Sequence, residues 1–152
     1  MQKITPFLWF NGNAEEAVKF YVSLFRNSKV LSTMPGPDGK VMGLSFQLEG
    51  QEFKALNGGP QYSFTPAISL FVNCETQAEV DELWTKLTAG GAEDACGWLR
   101  DRYGLSWQII PSVMGRMFAD QNREKAGRAM QAMLQMKKID VAGLKRAYEA
   151  RA

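Results

Sequence analysis

One order of elements, strand–helix–strand–strand–strand, occurs twice in this chain, and nothing else in the sequence constrains the fold as tightly. Residues 3–10 (Lys-Ile-Thr-Pro-Phe-Leu-Trp-Phe) are rich in aromatic and branched side chains and read as a strand. Asn11-Gly12-Asn13 turns the chain, and Asn13 is placed to cap a helix over 14–25. Ala14, Ala17, Val18, Tyr21, Leu24 and Phe25 recur there at helical spacing, and Glu15 and Glu16 suit the positive end of its dipole. Strands are expected next over 28–34, 41–48 and 51–57, separated by Pro35-Gly36-Pro37-Asp38-Gly39 and by Glu49-Gly50.

The order then repeats. Residues 65–73 form a strand with Pro66 where the first copy has Pro6, and Thr76 caps a helix carrying Val80, Leu83, Trp84 and Leu87. Gly90-Gly91 ends that helix, and a short strand over 92–96 leads into a hairpin over 97–111. The expected fold is α+β: two tandem βαβββ units, residues 1–60 and 61–111, forming a cupped mixed sheet. A single helix covers only one face of each sheet, so the hydrophobic pattern calls for pairing.

The hairpin turns at Asp101-Arg102-Tyr103-Gly104, and a solvated turn accounts for Arg100, Asp101 and Arg102. In its second strand Leu105, Trp107 and Ile109 point one way, while Ser106, Gln108 and Ile110 point the other. Gln108 is thus aimed away from Trp107. It offers either a polar group to a cavity or an amide to solvent.

After Pro111 the strand pattern stops. Residues 112–152 form a helical C-terminal extension, with Met117, Phe118, Met130, Met133, Leu134, Leu144 and Tyr148 as apolar markers and Asp120, Asn122 and Asp140 as caps. This extension is expected at a dimer interface.

Composition removes many functions. The chain has no histidine, which excludes Ser-His-Asp and Cys-His pairs and His-ligated zinc. A net charge of +2 without a basic run does not suggest nucleic acid. No apolar run approaches the roughly 20 residues that span a bilayer, and the N-terminus lacks a leader's apolar stretch, so a cytoplasmic protein without membrane attachment is expected. Two cysteines, Cys74 and Cys96, are too few for a disulfide framework.

Two tandem βαβββ units resemble the vicinal oxygen chelate superfamily of glyoxalases, extradiol dioxygenases and bleomycin-resistance proteins. Residues 4–17 (Ile-Thr-Pro-Phe-Leu-Trp-Phe-Asn-Gly-Asn-Ala-Glu-Glu-Ala), Phe20-Tyr21, 55–60 (Ala-Leu-Asn-Gly-Gly-Pro) and the hairpin from Cys96 to Gln108 resemble its PhnB-like branch, often labelled 3-demethylubiquinone-9 3-methyltransferase. The tail over 132–140 is similar to the same branch. The resemblance implies four inward-facing metal ligands in the superfamily's metalloenzymes, and these positions fall at Pro6, near Ala55, at Ala67 and at Gln108. Pro and Ala cannot ligate through a side chain, and Gln is a weak neutral ligand. The expectation is therefore no metal and no cofactor. No Gly-rich nucleotide loop follows a strand, as a typical methyl-donor site would require.

Trp9, Asn57, Phe71, Cys96, Trp98 and Gln108 are the candidates for lining a ligand pocket, with Asn57 and Gln108 as its polar groups. Packing as ordinary interior side chains is the competing reading for each. The function these residues suggest is metal-independent binding of a small molecule in the cup of a homodimer. The alternative is an enzyme, whether lyase, isomerase or methyltransferase as the branch label suggests, acting on a small organic substrate in the same cup.

Overall fold

The computed structural model describes residues 2–150. Backbone contacts divide the chain at Phe64/Thr65 into two compact units. The first contains β1 (Phe7–Phe10), α1 (Ala14–Leu24), β2 (Lys29–Pro35), β3 (Val41–Leu48) and β4 (Gln51–Asn57). Its sheet has the order β1-β4-β3-β2, with β1 parallel to β4 and the other neighbours antiparallel. The second unit contains β5 (Ser69–Cys74), α2 (Gln77–Thr88), β6 (Ala92–Glu93), β7 (Trp98–Arg100) and β8 (Ser106–Pro111) in the equivalent order β5-β8-β7-β6. The tail adds α3 (Ser112–Phe118), α4 (Arg123–Met133) and α5 (Val141–Glu149) to this second unit. The repeat is real, but both opening strands start later than expected. Pro6 only accepts a hydrogen bond from Lys54 N before β1 begins, and 65–68 form a turn in which Ala67 N donates to Thr65 Oγ1. Proline lacks the N–H a ladder needs at these points.

In the first unit α1 buries Ala14, Ala17, Val18 and Tyr21 against one face of the sheet. That face carries Leu8, Phe10, Leu44, Phe46, Phe53 and Ala55, all buried, with the Phe46 and Phe53 rings stacked at 5.4 Å. Each such side chain contributes about 1.5–3 kcal/mol on full burial, which is what fixes the helix on this face. In the second unit α2 packs Val80, Leu83, Trp84 and Leu87 over Leu99, Trp107 and Ile109. Thr76 caps α2 as expected, its side chain accepting from Glu79 N.

Asn13 does not cap α1 through its side chain; Asn57 Oδ1 accepts the Ala14 N–H instead, from the end of β4. The hairpin turn also differs from expectation. Asp101 is 3% exposed, with Oδ1 accepting from Tyr103 N and Leu105 N and Oδ2 from Trp107 Nε1. It is an internal acceptor, not a solvated turn residue.

The tail packs on its own unit. Met114, Met117, Ala129, Ile139 and Leu144 close over Ile110. The chain before α5 is tied down by backbone bonds from Cys96 N to Met136 O and Gly97 N to Lys137 O, and by Gln77, whose amide bridges Ile139 O and Val141 N. Asn122 and Asp140 cap α4 and α5 as expected. Among the markers proposed for an interface, Met117 and Leu144 are therefore interior, while Met130 and Leu134 remain exposed. No helix among the described residues is long and apolar enough to cross a membrane.

Candidate functional site

Each sheet has one face under its helix and one open face, and strand alternation assigns every candidate to one or the other. In the second unit the register aligns Trp98, Gln108 and Phe71 in one row across β7, β8 and β5. This is the face opposite Trp107, which is 1% exposed under α2. Gln108 is half-buried and its Nε2 donates to Ser69 Oγ at 3.0 Å. Its carbonyl oxygen has no partner among the described residues and remains available to a ligand. Phe71 is 53% exposed and Trp98 half-buried, so the row combines one amide with two aromatic surfaces. The tail covers the end of this face at Ile110.

Cys96 does not join the row. It sits in the turn before β7 with φ +62°, half-buried and held by its backbone bond to Met136. Cys74 lies on the helix side and is fully buried. Burial, followed by the negative charge of Glu79, pushes its thiol from 9.0 up to about 12, so it carries no thiolate at neutral pH.

In the first unit the open face carries Phe7 and Trp9 of β1, Lys54 and Leu56 of β4, Ser45 and Gly43 of β3, and Ser32 and Met34 of β2. Trp9 is half-buried there, donates from Nε1 to Gly59 O at 2.9 Å and meets Tyr62 edge-on at 5.0 Å. The Gly58-Gly59 pair follows from this packing, because a Cβ at Gly58 would lie 2.3 Å from the indole ring. Asn57 departs from expectation. With Ala55 it belongs to the helix face, where Oδ1 caps α1 and Nδ2 donates to Val41 O. Lys54, not weighed in the sequence, occupies the open-face position instead. The alternation Phe53-Lys54-Ala55-Leu56 contained that signal, but period two does not say which face the helix takes.

The superfamily's metal site can be tested against these faces. Pro6 and Ala67 precede their strands, and Ala55 lies under α1. Among the described strand residues, the open faces carry aromatic, aliphatic, hydroxyl, amide and basic side chains and a single carboxylate, that of Glu52 on β4. No group of three His, Cys, Asp or Glu side chains comes together among the described residues. This donor set does not fit a divalent ion.

The model of the 3-demethylubiquinone-9 3-methyltransferase family matches residues 2–110. The chain belongs to that family. Its match ends before α3, so the helical tail lies outside it. The PhnB protein from Bacillus cereus is 41% identical, covering 72% of this chain and 99% of its own, with a TM-score of 0.69. Protein PA1353 from Pseudomonas aeruginosa is 22% identical over 73% of this chain and 98% of its own, with a TM-score of 0.59. The fosfomycin resistance protein FosX from Listeria monocytogenes, solved with Mn(II) and sulfate, is 15% identical over 70% of this chain and 90% of its own, with a TM-score of 0.53. The last two show the fold alone. No curated protein matches the chain.

Proposed function

We propose that this family member is a metal-independent small-molecule-binding protein, with its ligand held on the open sheet faces of a cytoplasmic homodimer. The observation that carries the reading is the Trp98–Gln108–Phe71 row, where an amide with an unpaired carbonyl lies between aromatic surfaces. Such a mixture of apolar walls and a few directed polar groups characterises ligand pockets. Nucleic acid and membrane play no part in this reading.

Truncating the amide tests it. Screening small aromatic amides against the protein by NMR should find ligands that perturb Trp98, Gln108 and Phe71. Gln108→Leu should weaken them about tenfold, since it removes one hydrogen bond to a largely desolvated partner. Ligands that bind Gln108→Leu equally well would remove Gln108 from the site.

The dimer rests on exposed apolar surface. Phe7 is 59%, Met34 52% and Phe71 53% exposed, and the edge strand β2 is exposed along its length. Exposed apolar side chains and open edges of this kind are normally covered by a partner. Met130 and Leu134 are the tail residues left to contribute to an interface. Light scattering at micromolar concentration should give twice the 17.0 kDa chain mass. A monomer mass would end the dimer reading.

A further inference from the structure

β4 runs through the interior of the first sheet, between β1 and β3. Its alternation buries Phe53 and Ala55 under α1 and turns Lys54 and Leu56 to the open face. The register places Lys54 between Phe7 and Ser45, with Ser45 next to Ser32, so one row reads Phe7–Lys54–Ser45–Ser32. Neighbours across such a row stand about 5 Å apart. The adjoining row, Trp9–Leu56–Gly43–Met34, is apolar. Residues of both rows line a cavity of about 220 Å³. Gly43 keeps its floor open, for a Cβ there would meet Met34 Cε at 3.4 Å and Ala55 O at 3.3 Å.

Lysine is disfavoured inside strands. Where it does point from a sheet, it usually protects an edge against pairing. Neither account suits Lys54, which is exposed on an inner strand between Phe7 and Ser45, beside an apolar row. Its ammonium makes no ion pair among the described residues, and Glu52, the next residue on that face, does not reach it within 4.0 Å. An unpaired ammonium with the Ser45 hydroxyl next to it in the row, and the Ser32 hydroxyl one strand further on, presents a line of donors to one face. Leu56, Met34 and Phe7 supply apolar surface around it. When the face is covered, as the proposed function requires, that cation needs an anion to offset its desolvation.

We propose that the open face of the first unit recognises a small organic anion, a carboxylate or phosphate carried on a short apolar body, with Lys54 as its charge-bearing contact. This rests on the reading of the open faces as a ligand site and adds the ligand's chemical class. Lys54 supplies charge and hydrogen bonds, Ser45 and Ser32 supply further donors, and the apolar row receives the body. A lysine meets an anion as a point charge, so either anion geometry satisfies it.

Benzoate, phenyl phosphate and the neutral isostere benzamide are titrated into the full-length protein while amide NMR signals of both units are followed. The anions should perturb Lys54, Ser45 and Leu56 and bind about tenfold tighter than benzamide, the gain expected of a charged hydrogen bond. The tighter anion separates a carboxylate from a phosphate site. Lys54→Met should abolish the preference, while Lys54→Arg, which keeps the charge, should hold it within about threefold. Thermal unfolding of both variants checks that they fold; should Lys54→Met fail to fold, loss of the preference at high salt replaces it. Benzamide binding as tightly as the anions, a preference that survives Lys54→Met or high salt, or perturbation confined to Trp98, Gln108 and Phe71 would overturn the anion inference and leave the ligand-site reading standing. Signals in neither unit responding to any probe would overturn both.

Discussion

Replacing Asp101 with Ala is expected to cost about 3–5 kcal/mol of stability, because it leaves several donors without their shared acceptor. The carboxylate satisfies three donors at once: Tyr103 N at 2.8 Å, Leu105 N at 3.1 Å and Trp107 Nε1 at 2.9 Å. Alanine strands all three, those of Leu105 and Trp107 where water is excluded, and each buried unsatisfied donor costs about 1–3 kcal/mol before relaxation. Asp101→Asn should be milder, because its single carbonyl oxygen still serves one or two of them. Urea unfolding monitored by tryptophan fluorescence should show a lowered midpoint with an unchanged slope. A loss below about 1 kcal/mol would mean that the turn relaxes to admit water. The loss would also reach the site, since Trp107 alternates with Gln108 along β8 and anchors that strand under α2.

Gly97→Ala is expected to destabilise the second unit by about 2–4 kcal/mol, combining backbone strain with overpacking. Gly97 has φ +85°, donates to Lys137 O and accepts from Ile109 N. A Cβ there would fall 2.7 Å from Ile110 Cδ1 and 3.0 Å from Ile139 Cγ1, where the tail meets the sheet. Gly104→Ala isolates the backbone share. Its φ is +87° but nothing lies within 4 Å of its Cβ position, so it should lose only about 1–2 kcal/mol. Thermal unfolding of the two variants gives the difference directly. Equal losses would mean that Ile110 and Ile139 yield without cost.

The residues that anchor the tail were legible only in part. Asn122 and Asp140 stand before helical patterns, and a cap needs only the few residues it bonds. The same logic fails at Asn13, because Asn57 supplies the competing acceptor from 43 residues away. No local pattern carries that information. Asp101 is similar: as part of a polar turn it reads as solvated, and it is buried because Trp107 folds over the turn and needs an acceptor for its indole N–H.

The repeated order of strands and helices was determined by the sequence alone, since hydrophobic periodicity, turn residues and prolines act over a few positions. So was the opposition of Gln108 to Trp107, because adjacent strand residues must face opposite sides. Which side became the open face was decided by tertiary structure. Packing of α1 over Phe53 and Ala55 turned Asn57 into a helix cap and set Lys54 on the open face. The tail's apolar residues likewise had two destinations, and Ile110 with Gly97 drew most of them onto their own unit. Alternation specifies two faces, but only burial against a particular helix distinguishes them, and burial depends on contacts between residues far apart in the chain.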